Sequence, residues 1–125
     1  MKKIVNTLNA PAPIGPYSQA VLVGNTLYTS GQIAINPANN ELVVSHIKDE
    51  TKMVMENLKA LLKEADMDFT HVIKCSIFIA DMNDFSQINE VYGSYFTSNF
   101  PARETVQVAC LPKNVNVEIS AIAVK

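Results

Sequence analysis

The sequence lacks the hydrophobic runs that would place it in a membrane or carry it across one. No apolar stretch approaches the ~20 residues that cross a bilayer, and the first residues, Met1 to Asn6, lack the apolar region of a signal peptide. The motifs of serine hydrolases, zinc proteases, Walker nucleotide-binding proteins and dinucleotide-binding proteins are also missing. These absences predict a soluble, cytoplasmic protein that uses no cofactor.

Cysteine and histidine are scarce and poorly spaced for chemistry. The two cysteines, Cys75 and Cys110, form no CxxC pair and have no histidine at ligand spacing. The two histidines, His46 and His71, have no acidic or thiol partner at motif spacing. The sequence therefore predicts packing roles for the cysteines, structural or surface roles for the histidines, and no metal site.

An excess of positive charge is lacking as well. Ten basic and twelve acidic residues give a net charge of −2, and the lysines are scattered along the chain. This balance disfavours binding to nucleic acid. Only 18% of the residues are charged and 48% are hydrophobic, which leaves apolar surface that a subunit interface could cover. At this length the chain can bury one core, so residues 1–125 are predicted to form a single domain.

Three short strands are predicted in the first third of the chain. Prolines make Ala10 to Pro16 irregular, because proline supplies no hydrogen-bond donor to a sheet. The β-prone runs Tyr17 to Val23 and Thr26 to Gln32 flank a Gly-Asn pair, which predicts a tight hairpin turn. A third strand is predicted near Glu41 to Val44.

Helical and extended patterns alternate in the rest of the chain. Apolar residues recur every three or four positions from Ile47 to Ala65 and again, with an aromatic face, from Phe85 to Phe96, which predicts two helices. The β-branched run Val72 to Ile79 predicts a buried strand between them. Two further strands, Arg103 to Leu111 and Val115 to Val124, are predicted to end the chain.

This order of elements predicts an α+β fold. A six-stranded sheet, mainly antiparallel or mixed, would carry both helices on one face. The other face would then need a cover. A trimer that buries these open faces would provide it, although the pattern does not itself specify three subunits.

Two charged residues near the C-terminus are the strongest candidates for chemistry. Strand alternation places Arg103, Thr105 and Gln107 on one face of their strand, and Glu118 with Asn116 and Ser120 on one face of the last strand. An arginine binds a carboxylate through two hydrogen bonds, and a glutamate can orient water or move protons. The alternative is that the two charges pair with each other or face solvent.

The register of the last two strands bears on whether these charges can meet. A hairpin centred on Lys113 would pair Glu118 with Val108 and leave Arg103 roughly 16 Å away, at ~3.3 Å per residue. A direct cross-strand pair is then excluded. Either the two strands are not neighbours in a tight hairpin, or the site is assembled in another way, for instance across a subunit boundary.

Weaker candidates lie near the predicted hairpin. Ser30 offers a hydroxyl, and Gly31 lacks a side chain and so allows close approach to its backbone, although a glycine at a strand end also suits a bulge or turn. Tyr17 offers a phenol to a cleft, or serves as a core or interface aromatic.

Several motifs taken together resemble the RidA (formerly YjgF) family of reactive intermediate deaminases. The resemblance covers the whole chain in order. The segments that carry it are Ile14 to Ala20, Thr29 to Ile33, Asn83 to Phe85, Asn89 to Tyr92, and the closing pattern Pro101-Ala102-Arg103, Leu111-Pro112 and Val117-Glu118-Ile119.

The resemblance implies a chorismate-mutase-like fold, a homotrimer with clefts between subunits, and no cofactor. The implied reaction is hydrolysis of the imine and enamine products of pyridoxal-phosphate-dependent dehydratases, which gives 2-oxoacids and ammonia. Matched to the family motif, Arg103 would bind the substrate carboxylate and Glu118 would position the attacking water. The cleft-lining positions, some of them from the neighbouring subunit, would be Tyr17, Ser30, Gly31 and Asn89.

Thr105 departs from the pattern, because many bacterial members have cysteine at this position. If the cysteine acts through its backbone amide, Thr105 can replace it; if the thiol matters, the activity is in doubt. Two other functions stay open. One is an endoribonuclease or translation inhibitor, an activity that the family is also associated with. The other, which Thr105 keeps open, is a trimer in which Arg103 binds 2-oxoacids without turnover.

Overall fold

The computed structural model describes the whole chain, Met1–Lys125. It contains two helices and eight strands, so the predicted α+β class is confirmed. Neither helix is both long and apolar enough to span a membrane. The elements are β1 (Lys2–Val5), β2 (Ala20–Val23), β3 (Thr26–Thr29), β4 (Ile35–Asn36), β5 (Glu41–Leu42), α1 (Ile47–Glu64), β6 (Val72–Ile79), α2 (Phe85–Gly93), β7 (Ala102–Gln107) and β8 (Val117–Val124).

Six strands form one mixed sheet in the order β1-β2-β3-β8-β6-β7. Only β6 and β7 run parallel; all other neighbours are antiparallel. The predicted number of strands is confirmed, but the predicted membership is wrong in one place. The strand predicted near Glu41 to Val44 forms a separate two-stranded hairpin, and β1, which the sequence analysis missed, takes the sixth place by pairing with β2.

The predicted hairpin between β2 and β3 is present. Val23 pairs with Thr26, and Gly24 between them has a φ of 58°. A positive φ at the first turn residue is the requirement of a type II′ turn, which glycine meets without steric strain. Both strands are shorter than predicted, because residues 17–19 and 30–31 leave the ladder, and Gln32 rejoins the sheet only through an isolated bridge with Ile119.

Both helices pack on one face of the sheet, as predicted. The apolar stripe of α1 is buried against inward-facing residues of the central strands, among them Leu27, Ile77 and Ile119. The opposite face is covered only in part, where Phe78 packs against a small cluster of Ile33, Ile35, Leu111 and Val115. Tyr28 is 48% exposed and Val106 is 42% exposed on this open face.

The last two strands do not form the tight hairpin considered from the sequence, because β6 lies between them. Within the sheet, Cys75 of β6 pairs with Arg103 of β7, and Phe78 pairs with Glu118 of β8. Paired residues share a face, so Arg103 lies on the helix side with the buried Cys75, whereas Glu118 lies on the open side.

Candidate functional site

Arg103, the only arginine of the chain, lies on β7 at the edge of the sheet. Its Nη1 donates a hydrogen bond of 2.7 Å to Oδ1 of Asn89. Its Cζ lies 5.1 Å from the ring centre of Tyr92 and 5.6 Å from that of Phe85, within the range of cation–π attraction. None of the three ion pairs of the chain includes Arg103. The guanidinium therefore keeps its full charge and unused donors for an anion.

The backbone beside Arg103 is also open to a ligand. Val108 donates its N–H to the carbonyl of Ile79, so the backbone N–H of Val108 points toward β6. Since backbone groups alternate along a strand, the N–H groups of Arg103 and Thr105 point to the free edge of the sheet. They are available to a bound molecule or to another chain.

The Thr105 side chain cannot contact a ligand at the sheet edge directly. It lies on the helix side, opposite the buried Ile77, and its hydroxyl is shielded from solvent with no hydrogen-bond partner. A ligand at the sheet edge can therefore reach Thr105 only through its backbone. A cysteine would fit the same buried position, because a thiol makes weaker hydrogen bonds than a hydroxyl does.

Glu118 lies half-buried on the open face of β8, and its carboxylate forms neither an ion pair nor a hydrogen bond within the chain. Burial raises the pKa of this carboxyl above its ordinary value. Gly31 lies directly beneath it: a Cβ built on Gly31 would be 2.6 Å from Oε2 of Glu118. Gly31 is thus required here because its missing side chain makes room for the carboxylate.

A small pocket of about 40 Å³ opens in front of Glu118. This volume is enough for a water molecule, which needs about 10–15 Å³. Tyr17 and Ile14 form part of its wall, and the Tyr17 hydroxyl accepts a 3.2 Å hydrogen bond from the N–H of Ile14. The Ser30 hydroxyl donates a 2.5 Å bond to the carbonyl of Ser18 and so holds the loop that leads to Tyr17.

Two buried polar residues that the sequence analysis missed support this pocket. Gln19 accepts a hydrogen bond from the N–H of Thr7 and donates to the carbonyls of Thr7, Ala10 and Pro11, which fixes the N-terminal loop. Glu50 of α1 accepts hydrogen bonds from the backbone N–H of Asn116 and Val117 and from the Asn116 amide, and so anchors the start of β8. Glu50 had a visible signal, since it is a charged residue within the apolar stripe of α1.

The predicted site residues therefore separate into two groups. The arginine group consists of Arg103, Asn89 and Thr105, and the glutamate group consists of Glu118, Tyr17, Gly31 and Ser30. The groups lie on opposite faces of the sheet. Arg103 and Glu118 pair with residues of β6 that are three positions apart, which is about 10 Å along the strand. Across the sheet they are two strand spacings apart, which is again about 10 Å. Within one chain, Arg103 and Glu118 neither pair nor face the same cleft.

Comparison with known proteins gives consistent matches over the whole chain. The family model described as Endoribonuclease L-PSP matches residues 7–125. A Bos taurus protein named 2-iminobutanoate/2-iminopropanoate deaminase is 52% identical and is matched over 100% of this chain and 91% of its own length. YyfA from Yersinia pestis, a solved structure of the conserved Rid protein family, is 44% identical with a TM-score of 0.97 over 100% of both chains. E. coli TdcF, solved with bound serine, is 44% identical with a TM-score of 0.95 over 98% of both chains.

Proposed function

Because the chain belongs to the family described as Endoribonuclease L-PSP, whose mammalian members at about 50% identity are named 2-iminobutanoate/2-iminopropanoate deaminase, we propose that it hydrolyses 2-iminoacids. The resemblance to the RidA family that the sequence motifs indicated is confirmed. The products would be 2-oxoacids and ammonia. The observation that carries the proposal is an arginine without a counter-charge together with an unpaired glutamate of raised pKa.

The active site proposed here requires two copies of the chain. Arg103 and Glu118 lie on opposite faces of one sheet, so an arginine group can meet a glutamate group only across an interface. The open face offers apolar contact surface through Tyr28, Val106 and Val124. These observations require an interface between copies, and the RidA resemblance implies that the assembly is a homotrimer. We therefore propose a homotrimer in which Arg103 of one subunit and Glu118 of the partner subunit line one cleft.

Arg103 would bind the substrate carboxylate. A guanidinium donates two parallel hydrogen bonds to a carboxylate, and each charge-assisted bond is worth about 1.5–3 kcal/mol. The backbone N–H of Thr105, directed to the same free edge, would add a third donor. Holding the carboxylate in this way fixes the imine carbon relative to the water pocket, which is catalysis by proximity.

Glu118 would act as general base and then as general acid. Its carboxylate would take a proton from water as the oxygen bonds to the imine carbon, and would give it to the nitrogen as the carbon–nitrogen π bond opens, which forms a carbinolamine. It would then take the remaining hydroxyl proton and give it to the nitrogen as the carbon–nitrogen single bond breaks. The carbonyl of the 2-oxoacid forms as ammonia leaves. A raised pKa suits this exchange, because a proton donor and acceptor is most effective when its pKa approaches the working pH.

We place this activity in the cytoplasm, where pyridoxal-phosphate-dependent dehydratases would release the imine. Both cysteines are free thiols, which is in keeping with a reducing compartment. The buried position of the Thr105 side chain supports activity without the family cysteine, since only the backbone of this residue is offered to the cleft.

The test couples a threonine dehydratase to this protein and follows the appearance of 2-oxobutanoate. Wild-type protein should accelerate it, and Arg103→Ala and Glu118→Gln should not. Lys59→Ala and Glu64→Gln are matched controls, because each removes one exposed charge of the same sign elsewhere. If wild-type protein binds 2-oxobutanoate without accelerating its formation, the non-catalytic binding function replaces this proposal. RNA cleavage that Arg103→Ala abolishes would favour the ribonuclease instead.

A further inference from the structure

Three side chains of α2 contact Arg103 from one face of the helix. Phe85, Asn89 and Tyr92 are spaced by four and three residues, so they lie one above another along the helix. Asn89 accepts the 2.7 Å hydrogen bond from Nη1, and the two rings lie 5.6 and 5.1 Å from Cζ of Arg103. The guanidinium thereby lies over two aromatic rings and is held at one end by an amide oxygen.

All three contacts are uncharged, and the nearby acids are engaged elsewhere. Glu104, next to Arg103 in the chain, lies on the opposite face and binds Lys74 and Ser76. Glu90 of α2 pairs with Lys48 at 2.6 Å. The remaining titratable groups near Arg103 are the Cys75 thiol and the Tyr92 phenol. Burial raises the pKa of both, so both are neutral at physiological pH.

We propose that this face of α2 is a positioning device for Arg103, in which Asn89 acts on the substrate only through the guanidinium. The device fixes the arginine without neutralising it, and so preserves its affinity for a carboxylate. The inference rests on the proposed function in one respect, namely that the ligand of Arg103 is a 2-oxo- or 2-iminoacid carboxylate. It changes the role predicted for Asn89 from a cleft-lining substrate contact to a positioning residue.

The choice of asparagine over aspartate is the feature that a variant can test. Asn89→Asp keeps the size and the hydrogen bond to Nη1 but places a negative charge 2.7 Å from the guanidinium. The new ion pair would compete with the substrate carboxylate for the same donors. A residue that only stabilises the fold would give no such preference between charged and neutral ligands.

The experiment measures dissociation constants for 2-oxobutanoate and for its neutral analogue 2-oxobutanamide by NMR titration. For Asn89→Asp we expect the affinity for the anion to fall about 10- to 100-fold, while affinity for the amide changes about twofold or less. Asn89→Ala should cause a smaller, still anion-selective loss. Gln87→Glu is the matched control, since it makes the same amide-to-acid change at an exposed position of α2, and it should behave as wild type.

Phe85→Leu provides a second test that introduces no charge and remains usable if Asn89→Asp does not fold. Loss of one ring should weaken binding of the anion about three- to tenfold and leave binding of the amide unchanged. Equal losses for both ligands, no loss in either variant, or failure of the wild-type protein to bind 2-oxobutanoate would each overturn the inference. The deaminase proposal is tested by a separate result. If the variants lose affinity for the anion selectively but the wild-type protein does not accelerate imine hydrolysis, the deaminase function is refuted and the positioning role is retained.

Discussion

Mixing two inactive variants should restore activity, because the proposed cleft takes its arginine from one subunit and its glutamate from another. Arg103→Ala removes the proposed carboxylate-binding group and should lower kcat/KM by roughly 10- to 100-fold or more. Glu118→Gln removes the proton-transfer group and should lower kcat by about 10²- to 10⁴-fold. Each variant retains the residue that the other lacks.

The extent of recovery follows from the geometry. A cleft is intact only when the subunit that supplies arginine carries Glu118→Gln and the subunit that supplies glutamate carries Arg103→Ala. In a random equimolar mixture each condition holds for half of the subunits, so about one quarter of the clefts are complete in a closed symmetric assembly. We therefore expect roughly 25% of wild-type activity, well above the residual activity of either variant.

The assay refolds the two variants together from denaturant, or expresses them together, and then follows 2-oxobutanoate formation with a threonine dehydratase. The matched control mixes Arg103→Ala with the double variant that carries both substitutions, which cannot form a complete cleft. If co-refolded single variants show no more activity than this control, while wild-type protein refolded in parallel is active, the shared cleft is refuted. Arg103 and Glu118 would then act independently or not at all.

Four further outcomes follow from Glu118, Thr105 and Gly31. Because Glu118 must be ionised to accept a proton and its pKa is raised, kcat/KM should increase with pH along a limb whose midpoint lies above the ~4.3 of an ordinary glutamate, and Glu118→Gln should lack this limb. The raised pKa of Glu118 also means that the folded chain binds this proton more tightly than the unfolded chain does. The free energy of unfolding should therefore decrease as pH rises from the unfolded-state pKa of this carboxyl to its folded-state pKa. Urea titrations across this pH range should show that Glu118→Gln removes the decrease. Thr105→Val replaces a buried hydroxyl that has no partner with a methyl group of similar size, so the free energy of unfolding in urea should rise by about 1 kcal/mol, and a decrease would contradict the burial described here. Gly31→Ala should fold, because the carboxylate 2.6 Å from the added methyl group can swing away, but displacement of Glu118 should lower kcat about 10- to 100-fold; an unchanged kcat would argue against Glu118 as the proton carrier.

Local signals predicted most of the fold. The Gly-Asn pair forms the expected hairpin turn and the apolar stripe forms the expected helix α1, because turn geometry and helical periodicity depend on neighbouring residues. The strand near Glu41 to Val44 was predicted in the wrong sheet and β1 was not predicted, because sheet membership does not depend on neighbouring residues alone. Short extended segments become part of a sheet through pairing with distant strands, and β1 pairs with β2 across the irregular loop between them.

The supporting residues of the site were harder to find than the charged ones. Gln19 forms four hydrogen bonds with a loop eight to twelve residues away in sequence, and no spacing rule indicates that contact. Glu50 reaches the start of β8, 66 residues further along the chain. Such contacts are recognisable in sequence only as polar residues in unexpected places, because their partners are fixed by the packing of whole elements.

The sequence by itself determined the candidate residues of the proposed site: one arginine, one glutamate near the C-terminus and the motifs around them, with each side chain assigned to a face of its own strand. Tertiary structure decided how those faces are related. Alternation places Arg103 and Val106 on different faces of β7, and the packing of α2 makes the Arg103 face the covered one and the Val106 face the open one. The register of β6 with its two neighbours, Cys75 beside Arg103 and Phe78 beside Glu118, then puts Arg103 and Glu118 on opposite sides of one sheet. Periodicity fixes which residues share a side of a strand, but the order of strands and the position of the helices depend on long-range burial and pairing.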